Sequence, residues 1–402
     1  MKYLVILADG MADEPQEQLK GLTPLQAAST PNLDRLARTA YIGQVQTIPA
    51  NFPPGSDVAN LSVLGYDPAK YYTGRSPLEA VSMGVELGEN DLALRCNLVT
   101  LSEEENYADK TMIDYSSGEI STAESHQLMK AIADELGGEP FYFYPGISYR
   151  HLLVWKNGRG SDLQLTPPHD ISGQPIAAYL PAGTHGAHLL ELMMKSQKIL
   201  QDHPVNQKRI KEGHPPATSI WLWGEGVRPA LPTFQELYGL SGSVVAAVDL
   251  VKGLGICAGL KPVTVPGATG AVVTNFAGKI EAALQCLRQG DDFVYVHIES
   301  PDEAGHQGNL DTKIWSIEQI DQQMIGPLCE NLAGFEHIRV LVMPDHPTPI
   351  RIRTHSSDPV PFLLFDSQQP NPSGPQKYDE ASARRGLFIA EGHQLMRHFI
   401  KG

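Results

Sequence analysis

The chain has 402 residues, enough for two domains, and its 42% hydrophobic and 19% charged content is ordinary for a soluble globular protein. A formal net charge of −15 without any basic cluster argues against nucleic acid or an anionic membrane as a partner. It leaves room for an anionic substrate beside a metal centre, whose local charge outweighs a diffuse surface charge.

Taken in chain order, YLVILADG reads as a first α/β strand that delivers Asp9. Its apolar part is six residues long, too short for a signal peptide. TPNLDRLART follows as a helix with Thr30 as N-cap and Pro31 at its first position. NFPPGSDVANLSVLG is a Pro/Gly turn opening a helix whose first turn holds Ser56 and Asp57.

Near residue 90 the pattern changes. LALRCNLVTL, TMIDYS, FYFYPG, RHLLVW and LQLTPP read as short strands, with one helix at AESHQLMKAIADEL. Strands in quick succession with one helix predict a small antiparallel α+β unit, placed at residues 89–184. Alternation then resumes. SIWLWGEG, SVVAAVDL, GATGAVVTNF, DFVYVHIE and IRVLVMPDH are strand-like, and LVKGLGICAGL, AGKIEAALQCLRQG and DTKIWSIEQIDQQMIGPLCENL are helix-like. The expected fold is α/β: a mostly parallel sheet between helices, built from residues 1–88 and 185–402, with a smaller α+β domain inserted.

No run approaches membrane-spanning length. The four cysteines are far apart and form no CxxC pair. They suit a reduced compartment, and a cytoplasmic enzyme is expected.

Hard-metal ligand types gather where the strands end. Asp302 and His306 follow FVYVHIE, Asp345 and His346 follow IRVLVMP, and His355 comes back in THSSDPVPF. Ligands at the carboxyl edge of a sheet are the usual arrangement of an α/β enzyme. Asp302 and His306 are four apart and can share a focus if they lie on a helical turn. Asp345 and His346 are adjacent and can serve two metals or grip one from a turn. Two carboxylates and three imidazoles exceed one closed tetrahedral site and suit half of a two-metal site, to which Asp9 would add another carboxylate. Ser56, at a helix start where free N–H groups favour an anion, is the candidate nucleophile; read alone it would be only an N-cap.

These residues carry a resemblance. ILADGMAD, LTPLQAASTPNLDRLA, PPGSDVANLSVLGYDP, YTGRSPLEA, LRCNLVTL, HPVNQKR, AAVDLVKGLG, ESPDEAGHQGN, MPDHPTP and THSSDPVPF resemble, in order, the archaeal-type cofactor-independent phosphoglycerate mutases of the alkaline phosphatase superfamily. The resemblance implies an alkaline-phosphatase-like core and two divalent metals, manganese first, with zinc or magnesium as alternatives. One metal would be held by Asp302, His306 and His355, the other by Asp9, Asp345, His346 and Ser56. Ser56 would become phosphoserine, with Lys252 at the phosphoryl group, and the inserted domain would close over a small phosphorylated substrate. Arg75, Arg95, Arg150 and His169 are its candidate substrate contacts and Asp114 its candidate proton-transfer group.

One segment departs. Where such mutases carry Asp-Arg-Arg-Ala-Gly-Arg, this chain has Asp114-Tyr115-Ser116-Ser117-Gly118-Glu119. Loss of three guanidinium forks weakens recognition of a carboxylate beside a phosphate. Glu119 would favour an ammonium instead, and the segment resembles a bacterial branch proposed as homoserine kinases. Interconversion of 2- and 3-phosphoglycerate is the first expectation, phosphoryl transfer to a small hydroxy amino acid the second. A non-catalytic metal-binding protein is the third.

Overall fold

The computed structural model describes residues 1–402. The chain opens with strands β1 (Lys2–Ala8) and β2 (Tyr41–Val45). Five follow in the middle: β3 (Leu92–Leu101), β4 (Met112–Asp114), β5 (Phe141–Tyr144), β6 (Arg150–Trp155) and β7 (Ser219–Gly226). The last six are β8 (Gly242–Val245), β9 (Lys261–Val263), β10 (Phe293–Ile298), β11 (Ile338–Met343), β12 (Val360–Asp366) and β13 (Leu387–Ile389). They form two compact units, one of residues Met1–Tyr72 with Ala230–Gly402 and one of Thr73–Pro229.

The first unit holds an eight-stranded sheet in the order β13-β2-β12-β11-β1-β10-β8-β9. Its centre is parallel, and β12 runs antiparallel to both its neighbours. Strands β1, β10 and β11 are apolar almost throughout because both faces are covered. On one face Leu4, Ile6, Val294, Val296, Val340 and Val342 pack with residues of helices Pro31–Ala37, Phe276–Arg288 and Leu310–Ile320. The period of two sends Tyr3, Tyr295 and His297 to the other face. There Tyr3 meets Phe399 of helix Gln394–Lys401, and Tyr295 donates to Asn60 of helix Ser56–Val63.

Register decides where the functional loops emerge. Ala8 pairs with Ile298 on one side, and Leu7 with Met343 on the other. Asp9, Glu299 and Asp345 therefore leave the sheet together at its carboxyl edge. No helix is long and apolar enough to cross a membrane.

In the second unit, β3 lies between β6 and β7, with β5 beyond β6 and β4 against the end of β3, all antiparallel. Helices Thr122–Leu136 and Gly186–Gln201 cover this sheet through Leu128, Met129, Ile132, Leu189, Leu192 and Met193. The unit extends well past the 89–184 boundaries read from the sequence. SIWLWGEG, assigned there to the core sheet, is β7, and it pairs Val99 with Ser219 and Asn97 with Trp221 inside the inserted unit. An apolar strand shows that it needs a partner but not which one, so local pattern placed it with the wrong sheet.

Three other elements differ from their sequence reading. GATGAVVTNF forms no strand; Thr269 and Thr274 close it into a turn, and Val273 is exposed. LQLTPP contributes only an isolated bridge at Gln164. The long helix from Leu310 breaks into a π-helical turn at Asp321–Ile325 before resuming at Gly326–Asn331. Pro327, which lacks an N–H, removes one bond of the regular ladder there. That turn also explains why Thr30 makes no capping bond. Asp321 caps the helix instead, its Oδ1 accepting from the Leu33 N–H at 2.7 Å and its Oδ2 from the Asn32 N–H at 3.2 Å.

Candidate metal centre and a separate arginine cluster

At the carboxyl edge of the first sheet, side chains from five segments converge. Asp302 and His306 occupy the short helix Ser300–His306, one turn apart on one face. His306 Nε2 lies 3.2 Å from Asp302 Oδ2 and 3.0 Å from His355 Nε2, and His355 Nε2 lies 3.4 Å from Asp302 Oδ1. Two imidazole nitrogens and a carboxylate thus point at one another. The His306 Nδ1 stands 3.0 Å from the Arg353 carbonyl, to which it donates, and this holds the ring with Nε2 facing the focus.

The second focus lies beside the first. His346 Nε2 is 3.6 Å from Asp9 Oδ1, 3.4 Å from Asp345 Oδ2 and 3.0 Å from Ser56 Oγ. Asp9, Asp345 and His346 are fully buried. His346 also groups with Asp302 and His355, so it stands between the two foci.

Ser56 is the first residue of its helix and Gly55 the N-cap, so the serine hydroxyl is released from capping. The buried Asn60, one turn on, ties the helix to the sheet edge. It donates to the Ser56 carbonyl at 2.9 Å and to Asp345 Oδ2 at 2.8 Å, and accepts from Tyr295 at 2.7 Å. Lys252 lies on helix Asp249–Cys257, which packs against the Ser56 helix, with its ammonium 3.6 Å from Asp249.

The surrounding frame is rigid. Thr348 Oγ1 donates to Asp302 Oδ1. The fully buried Lys313 donates to the Ala12 and Thr348 carbonyls at 3.2 and 2.8 Å and pairs with Asp13 at 2.7 Å. Gly10, at φ +62°, is the one residue type this turn admits: a Cβ would stand 2.5 Å from Thr348 Oγ1 and 2.6 Å from the Asp302 Cα.

Electrostatics separates the ligands. Burial, then Asp345 and Asp302, push the Asp9 carboxyl well above its ordinary range. Burial would raise Asp302 too, but hydrogen bonds from His306 and His355 outweigh it and hold the group well below that range. The hydrogen bond to Asp302 lifts His306 to about 9, whereas burial pushes His346 down. Asp9 Oδ1 is buried without a hydrogen-bond partner. A buried orphan acceptor among crowded carboxylates is costly unless a cation serves it. The donor set therefore fits divalent metal ions.

Two residues here went unread in the sequence. His297 and Glu299 join Asp9 as a further set of potential ligands. They hid within FVYVHIE, whose apolar run reads simply as a strand. Two ligand types two apart, at the end of a strand buried throughout and just past it, were the available signal.

The remaining sequence candidates lie in the second unit. Glu79 accepts from Arg75 Nε at 3.0 Å and from Arg95 Nε at 2.8 Å. Arg95 stacks on Trp223 at 4.7 Å, and His169 meets the same ring at 5.2 Å. Tyr115 lies 6.1 Å from His169 and 5.7 Å from Tyr149, over which Arg150 stacks at 4.6 Å. Arg75, Arg95, Arg150 and His169 thus share one aromatic-lined cluster. Asp114 does another job: Oδ1 accepts from the Ser116 N–H and Oδ2 from the Gly118 N–H, both at 2.7 Å, closing the turn. Ser117, Gly118 and Glu119 all have positive φ in that turn.

A family profile described as 2,3-bisphosphoglycerate-independent phosphoglycerate mutase matches residues 37–206. A Geobacter sulfurreducens protein, named a probable 2,3-bisphosphoglycerate-independent phosphoglycerate mutase, is 52% identical over 401 residues, with both chains covered completely. A Methanosarcina acetivorans mutase of the same name is 50% identical, again over the whole of both chains. Among solved structures, a Pyrococcus horikoshii protein superposes with a TM-score of 0.83 at 31% identity, covering 100% of this chain and 96% of its own. A Thermoplasma acidophilum cofactor-independent phosphoglycerate mutase gives 0.68 at 28% identity, covering 100% and 99%. With half its residues shared along its full length, this chain belongs to the 2,3-bisphosphoglycerate-independent phosphoglycerate mutase family.

Proposed function

We propose that the chain interconverts 2-phosphoglycerate and 3-phosphoglycerate through a phosphoserine at Ser56. The observation that carries this reading is the placement of the Ser56 hydroxyl. It stands at a helix N-terminus, 3.0 Å from His346 Nε2, with its backbone tied through Asn60 to Asp345.

Asp302, His306 and His355 would hold one divalent ion, and Asp9, Asp345, His346 and Ser56 the other, with manganese the first choice. Such ions supply charge neutralisation on phosphoryl oxygens and acidify a bound hydroxyl. In the first half-reaction Ser56 Oγ attacks phosphorus as the bond to the glycerate oxygen breaks, and the serine proton leaves with the departing alkoxide. In the second, the neighbouring glycerate hydroxyl attacks the phosphoserine and Ser56 regains a proton. The free N–H groups of the helix start face the developing negative charge. Lys252 adds an ammonium to the phosphoryl oxygens. Arg150, stacked on Tyr149, and the Arg75–Glu79–Arg95 group would recognise the glycerate carboxylate in place of the arginines missing at 115, 116 and 119. Asp114 is left with its turn-closing role. The four cysteines are all free, which suits a cytoplasmic location.

The test is a pair of reactions with manganese, one with 3-phosphoglycerate and one with homoserine and a phosphoryl donor. Formation of 2-phosphoglycerate above a Ser56→Ala control is expected, with metal content unchanged in that variant. Product only in the homoserine tube would overturn the substrate, and turnover by Ser56→Ala would overturn the phosphoserine.

A further inference from the structure

The eight-stranded sheet ends on β13, whose outer edge pairs with no strand of the chain. Parallel register sets Leu387 against Gly43, Phe388 against Gln44 and Ile389 against Val45. The Ile389 carbonyl accepts from the Gln46 N–H at 2.9 Å, so Leu387 and Ile389 turn their backbone groups toward β2. Alternation along the strand then sends the Phe388 N–H and C=O outward. An open edge of this kind is where another strand adds, and natural edges are commonly blunted by charge, proline or a bulge. This one is apolar instead: Leu387 is 59% and Phe388 54% exposed, and Tyr41 at the start of β2 is 54% exposed.

The flanking charges decide what fits there. Arg384 and Arg385 precede the strand and Glu391 follows it, all three exposed. The Arg385 guanidinium meets only the Ser382 hydroxyl, at 3.4 Å. Two copies of one edge strand related by a two-fold axis run antiparallel, and their contacts are reciprocal. If the axis passes at Phe388, Arg385 of each copy stands opposite Glu391 of the other. Leu387 stands opposite Ile389, which with Tyr41 and Leu387 lines a cavity of about 580 Å³. The segment Arg385–Glu391 is therefore complementary to itself in reverse, in charge and in apolar pattern.

We propose that β13 pairs antiparallel with β13 of a second copy of this chain, about a two-fold axis at Phe388, so that two eight-stranded sheets run on as one. The outward N–H and C=O of each Phe388 are exchanged with those of the other, as in a hydrogen-bonded antiparallel pair. The two phenyl rings meet on one face, and Leu387 enters the hollow over the other copy's Ile389 on the opposite face. Four strand spacings, roughly 19 Å, separate β13 from β1. The surface is thus separate from the metal-binding edge, and the proposal does not depend on the phosphoryl-transfer reading.

The experiment measures mass in solution. Full-length protein, wild type and variants, is run over a concentration series by sedimentation equilibrium. The wild type is expected at twice the chain mass. Phe388→Lys puts two ammonium groups side by side at the axis and should halve that mass. Arg385→Glu turns two opposite-charge cross-strand pairs into like-charge pairs and should weaken association about tenfold. Arg385→Glu combined with Glu391→Arg restores the pairs and should recover the wild-type mass. A wild-type monomer at every concentration overturns self-pairing and leaves the edge to an extended peptide of another protein. A dimer or larger assembly that neither Phe388→Lys nor Arg385→Glu weakens overturns it too, by placing the interface elsewhere. Failure of the charge swap to recover association overturns the register centred on Phe388. Should Phe388→Lys fail to fold by circular dichroism, the wild-type mass and the Arg385 and Glu391 variants decide.

Discussion

Gly10→Ala is the sharpest test of the metal-binding edge, because the added atom has nowhere to go. Its φ of +62° already costs an L-residue about 1–2 kcal/mol. The new Cβ would stand 2.5 Å from Thr348 Oγ1, 2.6 Å from the Asp302 Cα and 2.7 Å from Asp302 Oδ1. Two of those atoms belong to a helix and a carboxylate already fixed by hydrogen bonds, so the neighbour cannot swing aside. Overpacking of this kind costs about 1–3 kcal/mol more. The sum, about 2–5 kcal/mol, corresponds to a melting-temperature drop of roughly 5–15 °C for a unit of this size. Gly21→Ala is the control: it has φ +86° and no atom within 4 Å of its Cβ, so it isolates the backbone term. Denaturant unfolding and metal analysis of the two variants separate the contributions. Gly10→Ala should lose the larger share of stability and shed metal, while Gly21→Ala keeps its metal. Equal losses in the two variants, with full metal content in both, would refute the claim that this turn is packed against the Asp302 ligand.

Two more predictions concern stability. Burial alone would raise the Glu79 carboxyl, but Arg95 and Arg75 outweigh it and hold it at about 2. A depressed folded value means its stabilisation is full above the ordinary 4.5 and lost as pH falls toward 2. Glu79→Ala leaves Arg95 buried without its partner and should cost about 3–5 kcal/mol by denaturant unfolding at pH 7; a loss below about 1 kcal/mol would show the pair to be dispensable. Glu380 is the opposite case. Burial pushes it from 4.5 to about 7, so its contribution is full below about 4.5 and is lost as pH rises through 7. Glu380→Gln should therefore gain on the wild type by about 3 kcal/mol between pH 5 and pH 8; the same difference at both pH values would contradict it.

Composition, strand pattern and ligand spacing were enough to place Asp9, Asp302, His306, Asp345, His346 and His355 at one sheet edge. Those residues follow apolar runs buried on both faces, and a strand's end is a local property. Ser56 was legible for a similar reason, since a Gly-Ser-Asp turn before an apolar helix announces a helix start. What local pattern could not determine was partnership. SIWLWGEG belongs to whichever sheet offers an open edge, and only the folded chain pairs it with β3. The cap of helix Pro31–Ala37 comes from Asp321, 288 residues beyond Leu33, and leaves Thr30 idle. Arg95 and Arg75 read as separate clamps until Glu79 joins them. His297 and Glu299 are the clearest instance. Along the chain they are the tail of an apolar strand, and they come beside Asp9 only because parallel register sets Ala8 against Ile298. The ligand types and their order are written in the chain. Which of them face one another is settled by strand register and by burial, since both depend on residues hundreds of positions apart.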